Sequence, residues 1–424
     1  MGARPERLAE DRDLYLGIAN EIWSGHGYST PESSPPRATA FRPPLYPLML
    51  ALTGGSRVGV AVLHLLLAGG MVVATGLAAQ RLAGPKRACD WTARLIAGGI
   101  VAIDPLLLLY SGQPMTETLC SCLTAVLLWW VAVSSQRRSG SLAPGEARSG
   151  SQGQCGGEGA GKLGNVIVEG ILWGLCLLAR PTYAVAFGLW FMGRVLSEGG
   201  LSRLRGGLLV GGVALAVLSP WMVRNSVVLG RPIMTTTHGG YTLWLANNPV
   251  YYCEVVEGHD SAWRGESLDR WQQATDAEMD RLHLTGEVAR DQWLSQHARE
   301  FIRANPQRFA RACLYRGLAF WSIWPGRSAG IGVPFPVLLL IAGGYAALWI
   351  AGVVATFRVI RSGEWRGLLP AFCLIVGFFS VHLVYWTDAR MRAPIMPAVA
   401  VLVAVGFSGQ NRDVTEKPTD SKAG

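Results

Sequence analysis

The sequence predicts an all-α polytopic membrane protein of about nine transmembrane helices, with amphipathic helices on the outer face and one long outer loop. Three observations carry this expectation. Half of the 424 residues are hydrophobic and only 16% are charged, and the mean hydropathy is +0.27, so the chain holds more apolar surface than one soluble core buries. Apolar runs recur at lengths that cross roughly 30 Å of hydrocarbon at about 1.5 Å per residue. The Arg and Lys residues fall in short clusters between these runs, concentrated in every second loop. A net charge of +9 distributed in this way marks topology rather than a nucleic-acid face, and no nucleic-acid partner is expected. The 8 cysteines show no CxxC spacing, and several (Cys120, Cys122, Cys176, Cys373) lie inside apolar runs, as packing residues do.

Taken in order, residues 1–56 form a first outer segment with amphipathic helices. An acidic cluster (Glu10, Asp11, Asp13) leads a short amphipathic helix that ends at Gly25 to Gly27, and a Pro-rich extended turn follows. Outward placement of residues 1–43 calls for an export signal, yet Met1 opens onto polar GARPERLAEDRD. A first helix is therefore expected to be missing, through a misassigned start or a truncated gene. Transmembrane helices occupy 57–223, at 57–80, 95–111, 116–134, 165–197 and 206–223. Arg180-Pro181 divides the run 165–197 into two short helices. Residues 139–164, rich in Gly and Ser, read as a flexible cytoplasmic linker. The large outer loop spans 224–332; within it, 266–304 has the charge and apolar spacing of an amphipathic surface helix, followed by a second helix approaching the membrane near Trp321 and Trp324. C-terminal transmembrane helices fill 333–410, at 333–357, 367–386 and 394–409, and 411–424 is a disordered cytoplasmic tail.

Orientation follows from the excess of Lys and Arg on the inner side. The clusters Arg81, Lys86, Arg87 and Arg94, then Arg137, Arg138, Arg148 and Lys162, then Arg194, Arg203 and Arg205, then Arg358, Arg361 and Arg366 are cytoplasmic. This places the acidic cluster, the turn before Glu117, Arg180, the large loop and Arg390 to Arg392 together on the outer side. Several plain structural roles compete there. Carboxylates at a helix start are favoured by the macrodipole, Thr116, Glu117 or Thr118 can cap a helix, and arginines at helix ends can snorkel to headgroups. His382, beside Tyr385 and Trp386, reads as a packing histidine.

The segments DRDLY, YLGIANEIWSGHGYS, FRPPLYPL, YSGQPMTETL, LLARPTY, SPWMVRNSVVLGRP, GGYTLWLANNP and YWTDARMRAPIMP, in this order, resemble the C-type-fold integral membrane glycosyltransferases of glycosyltransferase family 39. That family includes protein O-mannosyltransferases and the lipid A aminoarabinose transferase. The resemblance implies inverting transfer of a sugar from a polyprenyl-phosphate-linked donor to a lipid, glycan or protein acceptor, on the periplasmic or extracellular side of the cell inner membrane. It implies a base in the first outer loop, with Asp11 as the candidate and Asp13 the alternative; Arg12 stands where the family often has a second acid. The resemblance carries a Glu in the turn YSGQPMTETL, which groups Glu117 with the catalytic candidates, in a role positioning the acceptor or the first-loop helix, with a plain helix cap as the alternative. A departing phosphate needs cationic partners, for which the candidates are Arg180, Arg224, Arg390 and Arg392. Tyr15, Asn225, Tyr241 and Asn247 are candidate substrate contacts, Tyr241 and Trp244 offering aromatic faces to a pyranose ring, although a structural turn accounts for GGYTLWLANNP equally well.

No His, Asp and Glu set has metal-ligand spacing, and neither a metal nor another cofactor is expected. A nucleotide-sugar enzyme would need a soluble α/β domain that the short inner loops cannot house. The competing class is a transporter or flippase of a lipid-linked sugar, which would place polar, broken helices at the midplane, commonly in repeated halves. No internal repeat is present, and the ionisable groups gather at helix ends. An inactive scaffold is the third reading.

Overall fold

The computed structural model describes residues 11, 13–31, 35–83, 91–140, 155–196, 200–258, 263, 266–324 and 333–408. Among the described residues the regular structure is helical apart from one antiparallel pair of two-residue strands. A first helix α1 (Tyr15–Trp23) leads to strands β1 (Ser29–Thr30) and β2 (Arg37–Ala38) and to α2 (Leu45–Ala51). The apolar bundle follows: α3 (Arg57–Leu82), α4 (Thr92–Ile103), α5 (Pro105–Ser111), α6 (Glu117–Gly140), α7 (Cys155–Ala179), α8 (Tyr183–Leu196) and α9 (Gly200–Leu229). A helical cap comprises α10 (Gly239–Ala246), α11 (Pro249–Tyr251) with a π turn Tyr252–Glu257, α12 (Glu266–Arg281), α13 (Glu287–Ala304) and α14 (Pro306–Phe320). The bundle is completed by α15 (Phe335–Arg361), α16 (Leu369–Val384), a 3₁₀ turn (Ala389–Ile395) and α17 (Met396–Ser408).

Among the described residues, five helices are long and apolar enough to cross a membrane: Arg57–Leu82, Glu117–Ser135, Leu204–Leu229, Phe335–Arg361 and Ala389–Ser408. A sixth crossing results if α4 and α5, bent by 57° at their junction, count as one. The sequence count of about nine also took in three apolar helices of 10–17 residues, Leu163–Ala179, Tyr183–Leu196 and Leu369–Val384, which are short for the roughly 30 Å of hydrocarbon. The α4–α5 bend has a local cause. Pro105 cannot continue the amide ladder, and Asp104 Oδ1 caps the new helix by accepting from the amides of Leu106 and Leu107, both at 2.9 Å.

Small residues let the helices approach closely. A Cβ on Gly170 or Gly174 of α7 would lie 2.6 Å from the Cβ of Val213 or Val217 on α9, and one on Gly377 of α16 would lie 2.6 Å from Ala186 Cα on α8, the pattern by which membrane helices gain dispersion contacts where lipid supplies no hydrophobic drive. The central element is α17, buried from Met396 through Gly406. By contrast α15 exposes Leu340, Ile350, Val353 and Phe357, a face that suits lipid. The helical cap has a separate aromatic core of Tyr251, Tyr252, Trp263 and Trp271, packed by Trp244, Phe301 and Tyr315.

Two expectations differ in detail. The amphipathic stretch 266–304 is two helices, α12 and α13, because the chain reverses through left-handed conformations at His283 (φ 52°) and Gly286 (φ 83°). Residues 155–164 of the expected linker continue α7 as helix, an extension propagated from the apolar segment that follows. The remaining linker residues 141–154, Glu10, Arg12 and the tail 411–424 lie outside the described residues.

Candidate functional site

At one end of the bundle the start of α1 is shaped by Asp11, whose Oδ1 accepts from Leu16 N at 3.1 Å and Oδ2 from Gly17 N at 2.6 Å. These bonds satisfy amides of the first turn that have no helical partner and fix the orientation of the carboxylate. Each oxygen retains a further lone pair. A Cβ on Gly17 would lie 2.7 Å from Pro31 Cγ and 3.3 Å from Asp11 Oδ2, so a side chain there would disturb the carboxylate.

Asp13 belongs to a chain of alternating charges. Arg42 Nη2 donates to Asp13 Oδ1 at 3.0 Å and Arg42 Nε to the Asp13 carbonyl at 2.8 Å. Arg390 Nη1 donates to Asp13 Oδ2 at 3.3 Å. Arg390 Nε in turn faces Glu117 Oε1 at 3.4 Å, and Arg180 Nη1 faces the same oxygen at 3.6 Å. Thus Arg42, Asp13, Arg390, Glu117 and Arg180 form one ladder joining the N-terminal segment, the start of α6, the end of α7 and the 3₁₀ turn. Glu117 is 2% exposed. Glu117 Oε2, Arg180 Nη1 and Arg390 Nε are buried without a hydrogen-bond partner. Buried polar atoms are rarely left so, and these three belong to side chains in mutual contact.

Electrostatics follow from this geometry. Burial alone would raise the Asp13 carboxyl, but the Arg390 and Arg42 guanidiniums outweigh it and hold the group below its ordinary value. Asp388, which orders the 3₁₀ turn by accepting from Arg390 N at 2.9 Å, is pushed up by burial against the pull of Arg390. Burial and then the Arg42 charge push His238 well down, so its ring is neutral near pH 7. That ring packs edge-on to Phe41 (4.3 Å) and stacks on Tyr241 (4.9 Å), with Nδ1 unpartnered.

Arg42 is held in place by distant parts of the chain. Glu287 accepts from Thr39 Oγ1 (2.5 Å) and Ala40 N (2.6 Å), Thr237 N donates to Ala40 O (2.9 Å), and Thr236 Oγ1 donates to Phe41 O (2.5 Å). Arg224 donates to Thr39 O and Tyr28 O, each at 2.6 Å, with its guanidinium 5.1 Å from the Trp221 ring.

The sequence candidates therefore divide. Asp13, Glu117, Arg180 and Arg390 meet in the ladder, Tyr15 lies beside it with Arg42 over its ring at 5.3 Å, and Asp11 sits on the same helix start. Arg224 clamps the hairpin, and Asn225 ties the end of α9 to Ile233 O at 2.9 Å. Asn247 joins α10 to α16 through Leu243 O (2.8 Å) and Val384 O (2.9 Å). Tyr241 accepts from Gln272 at 2.5 Å and stacks on His238. Arg392 is fully buried on another side of the 3₁₀ turn, 4.4 Å over the Tyr345 ring, with Nη1 donating to Phe320 O (3.0 Å) and Ser322 O (2.6 Å). Arg42 and His238 were not singled out in the sequence; the only signal was the place of Arg42 in FRPPLYPL. Among the described residues, no three His, Cys, Asp or Glu side chains are grouped to hold a metal ion. Between α14 and α16 lies an apolar groove of about 480 Å³, with Leu314, Leu318, Trp321 and Phe379 among its lining.

No protein-family model matches the chain, and no curated protein matches it. Among solved structures, the chain is similar to the archaeal oligosaccharyltransferase AglB from Archaeoglobus fulgidus in complex with an inhibitory peptide and a dolichol-phosphate, at 14% identity and a TM-score of 0.48, over 93% of this chain and 45% of that one. It is similar also to ArnT from Cupriavidus metallidurans bound to undecaprenyl phosphate, at 12% identity and a TM-score of 0.42, over 93% of this chain and 72% of that one. The chain spans less than half the length of the AglB chain that it matches.

Proposed function

We propose that the chain is an inverting glycosyltransferase that moves a sugar from a polyprenyl-phosphate-linked donor to an acceptor hydroxyl at the outer face of the inner, or plasma, membrane. The observation that carries this reading is the buried ladder in which Arg180 Nη1 and Arg390 Nε face Glu117 Oε1 at 3.6 and 3.4 Å, and in which neither they nor Glu117 Oε2 make a hydrogen bond. Guanidinium N–H groups held near carboxylates by ion pairs but making no hydrogen bond suit a phosphate whose charge grows as it leaves. The sequence resemblance supports the same reading, and the groove between α14 and α16 offers an apolar surface to an isoprenoid chain.

The acceptor oxygen attacks the anomeric carbon as the bond from that carbon to the phosphate oxygen breaks, and the phosphate departs with the electron pair. The hydroxyl proton passes to Asp11, whose amide bonds orient its carboxylate and whose remaining lone pairs are available. Asp13, held anionic between two guanidiniums, is a weaker base and keeps Arg390 aimed. The products are the glycosylated acceptor and the free polyprenyl phosphate.

Transfer of radiolabelled sugar from a panel of polyprenyl-phosphate donors in membranes tests this. Loss of transfer in Arg390→Gln and Arg180→Gln at matched expression supports it. Movement of intact labelled lipid-linked sugar across the bilayer, with no transfer in the wild type, would favour the flippase reading.

A further inference from the structure

The two acid-bearing segments of the ladder, the start of α1 and the start of α6, are far apart in sequence and touch a common buried structure that the chemistry above does not use. His64, 2% exposed within α3, lies between them. Its Nδ1 is 2.9 Å from the carbonyl oxygen of Ser111, the last residue of α5 before the turn to Glu117, and its Nε2 is 2.7 Å from the hydroxyl of Tyr46. A carbonyl oxygen only accepts, so Nδ1 carries the proton; in the neutral ring Nε2 then accepts from Tyr46. Tyr46 is fully buried and meets Tyr15 edge to face at 5.2 Å. Tyr15 opens α1, two residues after Asp13, and carries Arg42 over its ring. Glu117 lies within electrostatic reach of His64, and both Asp11 and Glu117 lie within reach of Tyr46.

We propose that His64 is a positioning residue, which through Tyr46 on one nitrogen and Ser111 on the other sets the separation between the Asp11–Asp13 segment and Glu117 and so keeps Arg390 shared between Asp13 and Glu117. The proposal rests on the transferase reading for its kinetic consequence. Its structural content stands apart from it. The contacts at Arg390 are 3.3 Å to Asp13 and 3.4 Å to Glu117, so a displacement of even half an ångström between the two segments breaks one of them. A misplacement of about 1 Å at a reacting centre costs up to about 100-fold in rate.

The test compares His64→Leu, His64→Gln and Tyr46→Phe with the wild type in nanodiscs. A glutamine amide supplies one donor and one acceptor and can serve both neighbours; leucine serves neither. The expected result is a kcat for sugar transfer lowered roughly 10- to 100-fold in His64→Leu with the donor KM within about twofold, recovery to within about fivefold in His64→Gln, and no further loss when Tyr46→Phe is added to His64→Leu. Hydrogen exchange, which needs no activity, should show faster exchange in both 15–24 and 110–119 for His64→Leu and near wild-type exchange for His64→Gln. Equal loss in the Leu and Gln variants, or faster exchange confined to residues around His64, overturns the proposal. If the wild type itself transfers no sugar, the transferase reading fails, and the exchange pattern alone decides whether His64 braces the two segments.

Discussion

Replacing Arg390 by glutamine removes the member of the ladder that two carboxylates share. Asp13 Oδ2 loses its 3.3 Å donor and Glu117 Oε1 loses its 3.4 Å ion pair, leaving Asp13 with Arg42 at 3.0 Å and Glu117 with Arg180 at 3.6 Å. Removing one partner of a buried pair costs about 3–5 kcal/mol, and because each carboxylate keeps a second guanidinium, the lower end, about 3 kcal/mol, is expected for the local structure. The second loss belongs to the reaction. Arg390 Nε is buried without a hydrogen bond, and withdrawal of one such donor from a developing negative charge costs about 3–4 kcal/mol, or roughly 100- to 1000-fold in kcat. Arg390→Lys restores charge without the fork that reaches both acids, so its rate should fall between the two. The assay is the initial rate of labelled sugar transfer in membranes, with thermal aggregation in detergent measured in parallel to separate rate from folding. A rate for Arg390→Gln within threefold of the wild type would refute the reasoning.

Arg224→Ala removes two 2.6 Å bonds to the hairpin carbonyls of Tyr28 and Thr39; the expected outcome is transfer reduced about 10-fold through a loosened Arg42, with hydrogen exchange raised at 28–42. Gly240→Ala places a Cβ against the Asp291 carbonyl, and thermal unfolding should show a loss of about 2–3 kcal/mol in the helical cap. The Asp291 carboxyl is pushed up to about 6 by burial, against the pull of amide bonds from Gly240 and Tyr241. A carboxyl raised in the folded state binds its proton more tightly there than in the unfolded chain, so stability should rise as pH falls from about 6 to about 4, by about 1 kcal/mol after allowance for solvent screening; Asp291→Asn should flatten this slope in melts between pH 4 and 7.

Much of the bundle was legible because long apolar runs leave a chain few alternatives in a bilayer, and the Arg180-Pro181 break marks the α7–α8 junction as expected. The bend inside 95–111 was not anticipated, although the Asp104-Pro105 pair that causes it is a helix-start signal. Asp13, Glu117, Arg180 and Arg390 could be singled out since each stands at a helix end on one side. Their pairing could not, and neither could Arg42, which is set by contacts with Thr236, Thr237 and Glu287 far along the chain. Arg390 and Arg392 are both phosphate candidates in the sequence, and a separation of two residues says little about which way each points until the local helix type is known. In a 3₁₀ turn, with three residues per turn, these side chains diverge by about 120°, and one meets Asp13 and Glu117 while the other meets Tyr345 and the carbonyls of Phe320 and Ser322.

The most direct measurement is radiolabelled sugar transfer from polyprenyl-phosphate donors in membranes, comparing the wild type with Asp11→Asn and Asp13→Asn at matched expression. Transfer by the wild type, abolished in Asp11→Asn and reduced but measurable in Asp13→Asn, is the result expected of a base at Asp11 beside an organising acid at Asp13. Full transfer in Asp11→Asn would contradict the assignment of the base, and no transfer by the wild type from any donor would contradict the transferase reading itself.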